Sequence, residues 1–204
     1  MYNAFGVGEL EFHVSQYPEG VERHSPGLAR PRAYPGVARG STGVGGVGYA
    51  PTMPQSLANV LVHIVFSTRD RQPLLADSRL RVAMHKYLAT VSGELRCQAI
   101  TVGGVGDDHV HILARQARTI TLAGWVRELK RASSLWAKGL PAGTNGFQWQ
   151  AGYGAFSVSQ SQSSAVERYI LGQEAHHTTV GFQDEFRTLL DRHHIAYDER
   201  YLWD

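Results

Sequence analysis

The sequence has little of several features that mark common protein classes. Its 204 residues include one cysteine, Cys97, which excludes an internal disulfide and a multi-cysteine zinc or iron–sulfur site. No apolar run approaches the roughly 20 residues of a membrane helix, so no integral membrane protein is expected. The N-terminus lacks the basic region and apolar run of a secretion signal. We therefore expect a cytoplasmic protein in a reducing setting.

A strong charge of either sign is also missing. Twenty Lys and Arg face 18 Asp and Glu, a net charge of +2, so bulk charge does not indicate a nucleic-acid partner. The glycine-rich residues 103–106 are not followed by Lys-Ser or Lys-Thr, so they form a turn rather than a phosphate-binding P-loop. Ten histidines, in contrast, are many for this length. Partners and metals must therefore be sought in local patterns.

The composition changes near residue 53. Residues 1–52 hold 10 of the 22 glycines and five of the eight prolines. Their apolar residues are too few to offset the entropy cost of ordering such a segment. We predict a Gly/Pro-rich, disordered N-terminal extension over 1–52 and one domain over 53–204. Met53 is then the natural first residue, and a functional tail is the minority alternative.

Beyond this point the pattern predicts an α+β domain. Strands are predicted at 59–67, 97–105 and 109–114, one or two more within 147–159, and helices at 78–94, 122–138, 163–177 and 183–193. Asp77 or Ser78 can cap the first helix and Thr121 the second. The order β-α-β-β-α-β followed by helices predicts an antiparallel sheet in the split βαβ, ferredoxin-like arrangement.

The segment Asp108-His109-Val110-His111 carries the clearest chemistry. Side chains alternate along a strand, so the two histidines point the same way, roughly 6–7 Å apart. Two such imidazoles can bind one divalent cation, and Asp107 or Asp108 could fix a ring by a hydrogen bond. The alternative is two partly exposed histidines on a sheet surface.

A second polar group lies on the predicted third helix. Tyr169, Gln173 and either His176 or His177 share one side of that helix, because residues four apart are neighbours. Gln173 or one of the histidines could complete a metal site. A phenol with a pKa of about 10 needs a metal or a base nearby to act as a nucleophile. The alternative is a tyrosine whose ring packs in the core with its hydroxyl at the rim.

Several segments of the chain resemble one family in order and spacing. They are HIVFSTRDRQPLL, GDDHVHIL, VRELKRASS, QAGYGAFSVS, VERYILGQEAHH and DERYLWD. These segments resemble the single-tyrosine HUH transposases of the insertion-sequence 200 type, which include the REP-associated tyrosine transposases. The resemblance runs from Met53 to Asp204 and does not extend to residues 1–52. Those enzymes start near the Met-Pro-Gln found here at 53–55, which favours the upstream extension.

The resemblance implies a fold, a mechanism and residue roles. The implied fold is the α+β HUH-endonuclease fold, with the tyrosine on a C-terminal helix. His109 and His111 match the pair that binds Mg²⁺ or Mn²⁺, Gln173 matches the third ligand, and Tyr169 matches the nucleophile. The implied partners are single-stranded DNA with hairpin or palindromic ends and a second subunit, with shared active sites in a homodimer.

Local basic residues are the candidates for DNA contact. Guanidinium and ammonium groups bind phosphate oxygens, and the candidates are Arg69 and Arg71 after the first strand and Arg127, Lys130 and Arg131 on the second helix. The alternative for each is a solvated surface position.

Three functions are compatible with these residues. The first is a transposase that nicks and joins single-stranded DNA through a 5′-phosphotyrosine, and is nucleoid-associated when bound to DNA. The second is a domesticated or inactive protein of the same fold that binds hairpin DNA. The third is a metal-dependent hydrolase that leaves Tyr169 idle. The intact set of two histidines, glutamine and tyrosine favours the first.

Overall fold

The computed structural model describes residues 57–104, 107–140, 146–173, 177 and 180–203. The predicted disordered extension, residues 1–52, and the candidate ligand His176 lie outside the described residues. The described residues all fall within the predicted domain, whose boundary stays a prediction. No helix in this part of the chain is long and apolar enough to cross a membrane.

An antiparallel sheet with helices on both faces makes up the described chain. The strands are β1 (Leu61–Ser67), β2 (Gln98–Gly103), β3 (His109–Arg115) and β4 (Gly154–Val158), and the α-helices are α1 (Ser78–Glu94), α2 (Leu122–Lys138), α3 (Ser163–Leu171) and α4 (Phe182–Arg192). The strand order is β2-β3-β1-β4, with every pairing antiparallel. The α+β class and the βαββαβ order expected for the HUH fold are confirmed.

Capping residues set where the first two helices begin. The Asp77 carboxylate accepts a hydrogen bond from the Arg79 amide at 2.7 Å, and the Thr121 hydroxyl accepts one from the Gly124 amide at 3.1 Å. Both satisfy amides that lack partners within the helix. The third helix is shorter than predicted, since α3 ends at Leu171. The next residue is a glycine, which disfavours the helical state.

The two faces of the sheet pack against different helices. On one face, the main core joins the sheet to α1 and α2 through Ile64, Phe66, Val110, Ile112, Met84, Leu88, Trp125 and Leu129. On the other face, a smaller cluster contains Val65, Phe156, Phe182, Phe186, Leu189 and Leu190, and α3 contacts β2 and β3. Every second residue of β1 and β3 therefore faces α3 and α4, and the candidate site lies there.

The aromatic segment 147–159 contains one strand, β4, where one or two strands were predicted. Trp149 makes an isolated antiparallel bridge to Thr68, and its indole nitrogen donates to Ser133 at 2.8 Å. Phe147 and Trp149 both belong to the main core. These aromatic side chains are therefore used for packing.

Candidate active site

The paired histidines lie on β3, an inner strand of the sheet. His109 and His111 are fully buried, and their ring centroids are 5.2 Å apart. Val110 and Ile112 point the opposite way into the main core, as strand alternation requires. Phe182 of α4 stacks on the His109 ring at 4.3 Å. The histidines thus share one buried face, which rejects the alternative of an exposed pair.

Each imidazole has its Nδ1 atom occupied by a neighbour. His109 Nδ1 lies 2.8 Å from Asp108 Oδ1, and His111 Nδ1 lies 3.0 Å from His63 Nε2 of the adjacent strand β1. A neutral imidazole that binds a metal through Nε2 carries its proton on Nδ1. Asp108 and His63 are in place to accept those protons, so both Nε2 atoms are available for one ion.

A close approach of α3 to β2 places the tyrosine beside this pair. A Cβ atom at Gly103 would lie 2.7 Å from Cγ2 of Ile170, so only glycine fits there without movement. The Tyr169 ring centroid is 5.9 Å from that of His111 and meets it edge-on. Gln173, just beyond the end of α3, is fully buried.

Glu185 of α4 connects the groups from the two elements. Its Oε1 atom accepts hydrogen bonds from the Tyr169 hydroxyl and from Gln173 Nε2 at 2.8 Å. The same oxygen is 3.6 Å from His111 Nε2, and Oε2 is 3.3 Å from His177 Nε2. One buried carboxylate therefore contacts both the candidate nucleophile and the candidate metal ligands.

Burial and mutual contact set the charges in the site. Burial, aided by the neighbouring His111, lowers the pKa of His63 to about 3, and burial lowers the pKa of His111 to about 4. Burial would raise the pKa of Glu185, but the His111 and His177 rings outweigh it and hold that pKa well below its usual range. Near pH 7 the site holds a carboxylate and neutral His63 and His111.

Tyr169 is protonated in this environment. Burial raises the pKa of its phenol well above the ordinary value, and the hydrogen bond to Glu185 raises it further. Burial disfavours the charged phenolate because it removes water, and Glu185 disfavours it because the phenolate would be a second negative charge beside the carboxylate. A cation or another positive group nearby is needed to lower this pKa so that the phenolate can form.

The donor atoms present fit a divalent metal ion. One donor atom each from His109, His111, His177 and Glu185 lies within 4.8 Å of the others, so this cluster could hold a metal. The His109 Nε2, His111 Nε2 and Gln173 Oε1 atoms are buried and lack a hydrogen-bond partner in the part of the chain that the structure describes. Buried polar atoms rarely lack partners, and a bound cation would satisfy all three.

Lys130 differs from the other predicted DNA-contacting residues because its ammonium group forms hydrogen bonds within the protein. It donates to the carbonyl oxygens of Gln150, Ala151 and Gly152 at 2.5–3.2 Å. It also lies 5.0 Å from the centroid of the Phe66 ring. Burial lowers its pKa to about 8. These contacts give Lys130 a structural role, and its contact with DNA stays a prediction.

The four predicted arginines are more accessible. Arg69 and Arg71 form an exposed 3-10 turn directly after β1. Arg127 is exposed on α2, and Arg131 pairs with Glu128 at 2.8 Å. Exposed guanidinium groups on two different elements remain candidates for phosphate contact.

Glu185, whose carboxylate contacts Tyr169, Gln173, His111 and His177, was not among the residues predicted from the sequence. Phe182, Glu185, Phe186 and Leu189 are spaced three and four apart and are all buried. An acid on the apolar face of an amphipathic helix is costly unless it has partners, and this pattern could have revealed it. Of the two alternatives on the third helix, the described His177 contacts Glu185.

Comparisons with known proteins bear on the family of this chain. The family model described as "Transposase IS200 like" matches residues 56–173, more than half of the chain. A proposed transposase from Deinococcus radiodurans R1 is 19% identical, with a TM-score of 0.44 over 60% of this chain and 96% of that one. A REP-associated tyrosine transposase bound to a REP hairpin is 14% identical, with a TM-score of 0.45 over 64% of this chain and 76% of that one.

A search of curated proteins finds no match. With the histidine pair, Gln173 and Tyr169 brought together, the family match shows that this chain belongs to the IS200-like transposases.

Proposed function

We propose that this transposase cleaves and joins single-stranded DNA with hairpin or palindromic ends through a 5′-phosphotyrosine on Tyr169. The observation that carries the proposal is the position of the Tyr169 hydroxyl. It donates to Glu185, as Gln173 does, beside three buried atoms that lack hydrogen-bond partners among the described residues, namely the Nε2 atoms of His109 and His111 and Oε1 of Gln173.

The cofactor proposed is a divalent ion, Mg²⁺ or Mn²⁺, held by His109, His111 and Gln173, with Glu185 and His177 at the same site. When bound, the ion supplies Lewis-acid neutralisation of the phosphate oxygens. Of the two ions, Mn²⁺ suits a site with several imidazoles better, because Mg²⁺ is bound mainly by carboxylate, phosphate and water oxygens. Asp108 and His63 hold the two rings with Nε2 facing the cluster.

The bonds and protons of the proposed step balance. Tyr169 Oη, oriented by the hydrogen bond that it donates to the Glu185 carboxylate, attacks the phosphorus and gives up its proton to solvent. A P–O bond to tyrosine forms, the P–O3′ bond breaks, and a proton from solvent reaches the departing 3′-oxygen to give a 3′-hydroxyl. The phosphodiester energy is kept in the tyrosine link. A second 3′-hydroxyl can therefore reverse the step and join new ends without ATP.

A homodimer with shared sites is what the resemblance implies for assembly. In this chain, however, the Tyr169 ring lies 5.9 Å from the ring of His111 within a single subunit. We therefore propose sites that are each completed by one chain, whether it acts in a dimer or alone.

A cleavage assay with labelled hairpin DNA tests the function. Wild-type protein with Mn²⁺ is expected to give a protein–DNA adduct that survives denaturation, and a chelator should abolish it. Tyr169→Phe should bind DNA normally and give no adduct, whereas Tyr197→Phe, a change at an exposed tyrosine, should react like wild type. An adduct that persists in Tyr169→Phe would refute the assignment.

The same assay separates the alternative functions. Cleavage by the wild type without any adduct would indicate a metal-dependent hydrolase. Binding without cleavage would indicate a domesticated hairpin-binding protein that keeps the fold.

A further inference from the structure

A cavity of about 540 Å³ opens beside the tyrosine, between β4, α3 and α4. Its walls include Phe156, Tyr169, Leu189, Arg192 and His193, and His63 also lines it. His109, His111 and Gln173 do not line this cavity. The cavity and the metal cluster are thus separate spaces that share the Tyr169 side chain.

We propose that this cavity binds one unpaired nucleotide adjoining the phosphate that Tyr169 attacks. The inference rests on the proposed function, since it names where the substrate strand lies next to the nucleophile. It adds a binding site for the DNA that is independent of the metal ligands.

The size and position of the cavity suit this occupant. Pockets for small ligands commonly enclose about 300–1,000 Å³, and a single nucleotide is a ligand of that class. Because Tyr169 forms part of the wall, a nucleotide held there has its phosphate close to the attacking oxygen. Nucleases and transferases gain rate when the reacting atoms are held together in this way.

The wall chemistry matches a base. Phe156 and Leu189 are buried apolar side chains, and the His193 ring lies 4.8 Å from that of Phe156. Aromatic rings are the usual partners of unpaired bases, and the exposed His193 ring is the one open to a base here, with the buried Phe156 ring behind it. Ser157 and Gln162, also in the wall, offer polar groups to the base edge. A cavity with one apolar side and a few polar groups is typical of ligand sites.

The charge at the cavity matches a phosphate. Arg192, at the end of α4, is exposed, and it forms no ion pair with any residue that the structure describes. Its guanidinium can therefore bind a phosphate without losing a partner. Arg192 and Tyr169 both line the cavity, so a phosphate held by this guanidinium lies on the side of the cavity that carries the tyrosine.

Filling the cavity and removing its charge give two independent tests. The probe is a set of single-stranded dodecamers of mixed sequence, each with one 2-aminopurine, whose fluorescence changes when the base stacks on protein rings. Ala165→Phe fills the cavity from α3 and should weaken binding about tenfold, as loss of one stacked base does, and abolish the fluorescence change. Arg192→Ala should lower the slope of log K against log salt by about 0.7, the value for one phosphate on a single strand.

Two control variants make the same kinds of change outside the cavity. Ser164→Phe adds the same ring at the neighbouring exposed position of α3, outside the cavity wall. Arg79→Ala removes an exposed arginine from α1, which packs on the other face of the sheet. Both should bind and react like wild type.

The outcomes distinguish this inference from the proposed function. If wild type forms the adduct and Ala165→Phe and Arg192→Ala match it in affinity, salt slope and fluorescence, the cavity is not a nucleotide site. If wild type forms no adduct, the proposed function fails, and the fluorescence and salt data still decide the cavity. Arg192→Ala changes an exposed side chain, so it decides the question alone if Ala165→Phe does not fold.

Discussion

The hydroxyl of Tyr169 donates a hydrogen bond to the carboxylate of Glu185. The same carboxylate oxygen accepts the amide nitrogen of Gln173 at 2.8 Å, which fixes the amide so that its Oε1 is the buried atom left for a cation. One side chain from α4 therefore orients both the proposed nucleophile and a proposed metal ligand.

Glu185→Gln tests this role directly. The amide has nearly the same shape but lacks the charge that orients the Tyr169 hydroxyl, and a small misplacement of reacting groups can cost about 100-fold in rate. We expect the single-turnover rate of adduct formation to fall about 100-fold while DNA affinity is retained. Glu94→Gln, at an exposed position of α1, is the control. A wild-type rate in Glu185→Gln would remove Glu185 from the mechanism.

His63→Asn tests whether the contact with His111 supports metal binding. Loss of the group that holds a ligating imidazole lowers metal affinity by about 10–100-fold. We expect that weakening for Mn²⁺, measured by calorimetry or electron paramagnetic resonance. His194→Asn is the matched control, because His194 is exposed and has φ 54°, a conformation that asparagine tolerates. Equal Mn²⁺ affinity in both variants would contradict the role of His63.

Gly103→Ala tests the contact that sets the position of the tyrosine helix. The added methyl would lie 2.7 Å from Ile170 Cγ2, and such overpacking costs about 1–3 kcal/mol. We expect this loss of unfolding free energy in urea, with a slower adduct reaction because α3 must shift. Gly93→Ala, in α1 with no atom within 4 Å of the new Cβ, should be neutral or slightly stabilising. Equal stability of Gly103→Ala and wild type would contradict the account of the α3 contact.

Much of this arrangement could be predicted from the sequence because it depends on local patterns. Strand alternation put His109 and His111 on one face, and capping chemistry located the starts of α1 and α2 at Asp77 and Thr121. The role of Glu185 depends on how α4 packs over the sheet, a contact between elements far apart in the chain. Local spacing carries no information about that packing. The proposed metal ligands and the proposed nucleophile were predicted from motifs, and the carboxylate that contacts them was not.

Mixing two inactive variants tests whether each site is completed within one chain. His111→Ala lacks a metal ligand and Tyr169→Phe lacks the nucleophile. If every site uses one chain, a mixture of the two forms no adduct, because neither chain has both groups. Adduct formation restored in the mixture would show that the tyrosine of one subunit serves the histidine pair of another.

The most direct test of the central claim is to locate the covalent link. Wild-type protein is allowed to react with hairpin DNA and Mn²⁺, digested with a nuclease and a protease, and the modified peptide is sequenced by mass spectrometry. The account predicts one 5′-linked nucleotide on the Tyr169 oxygen. A link on any other residue, or cleaved DNA with a free 5′-phosphate and an unmodified Tyr169, would contradict it.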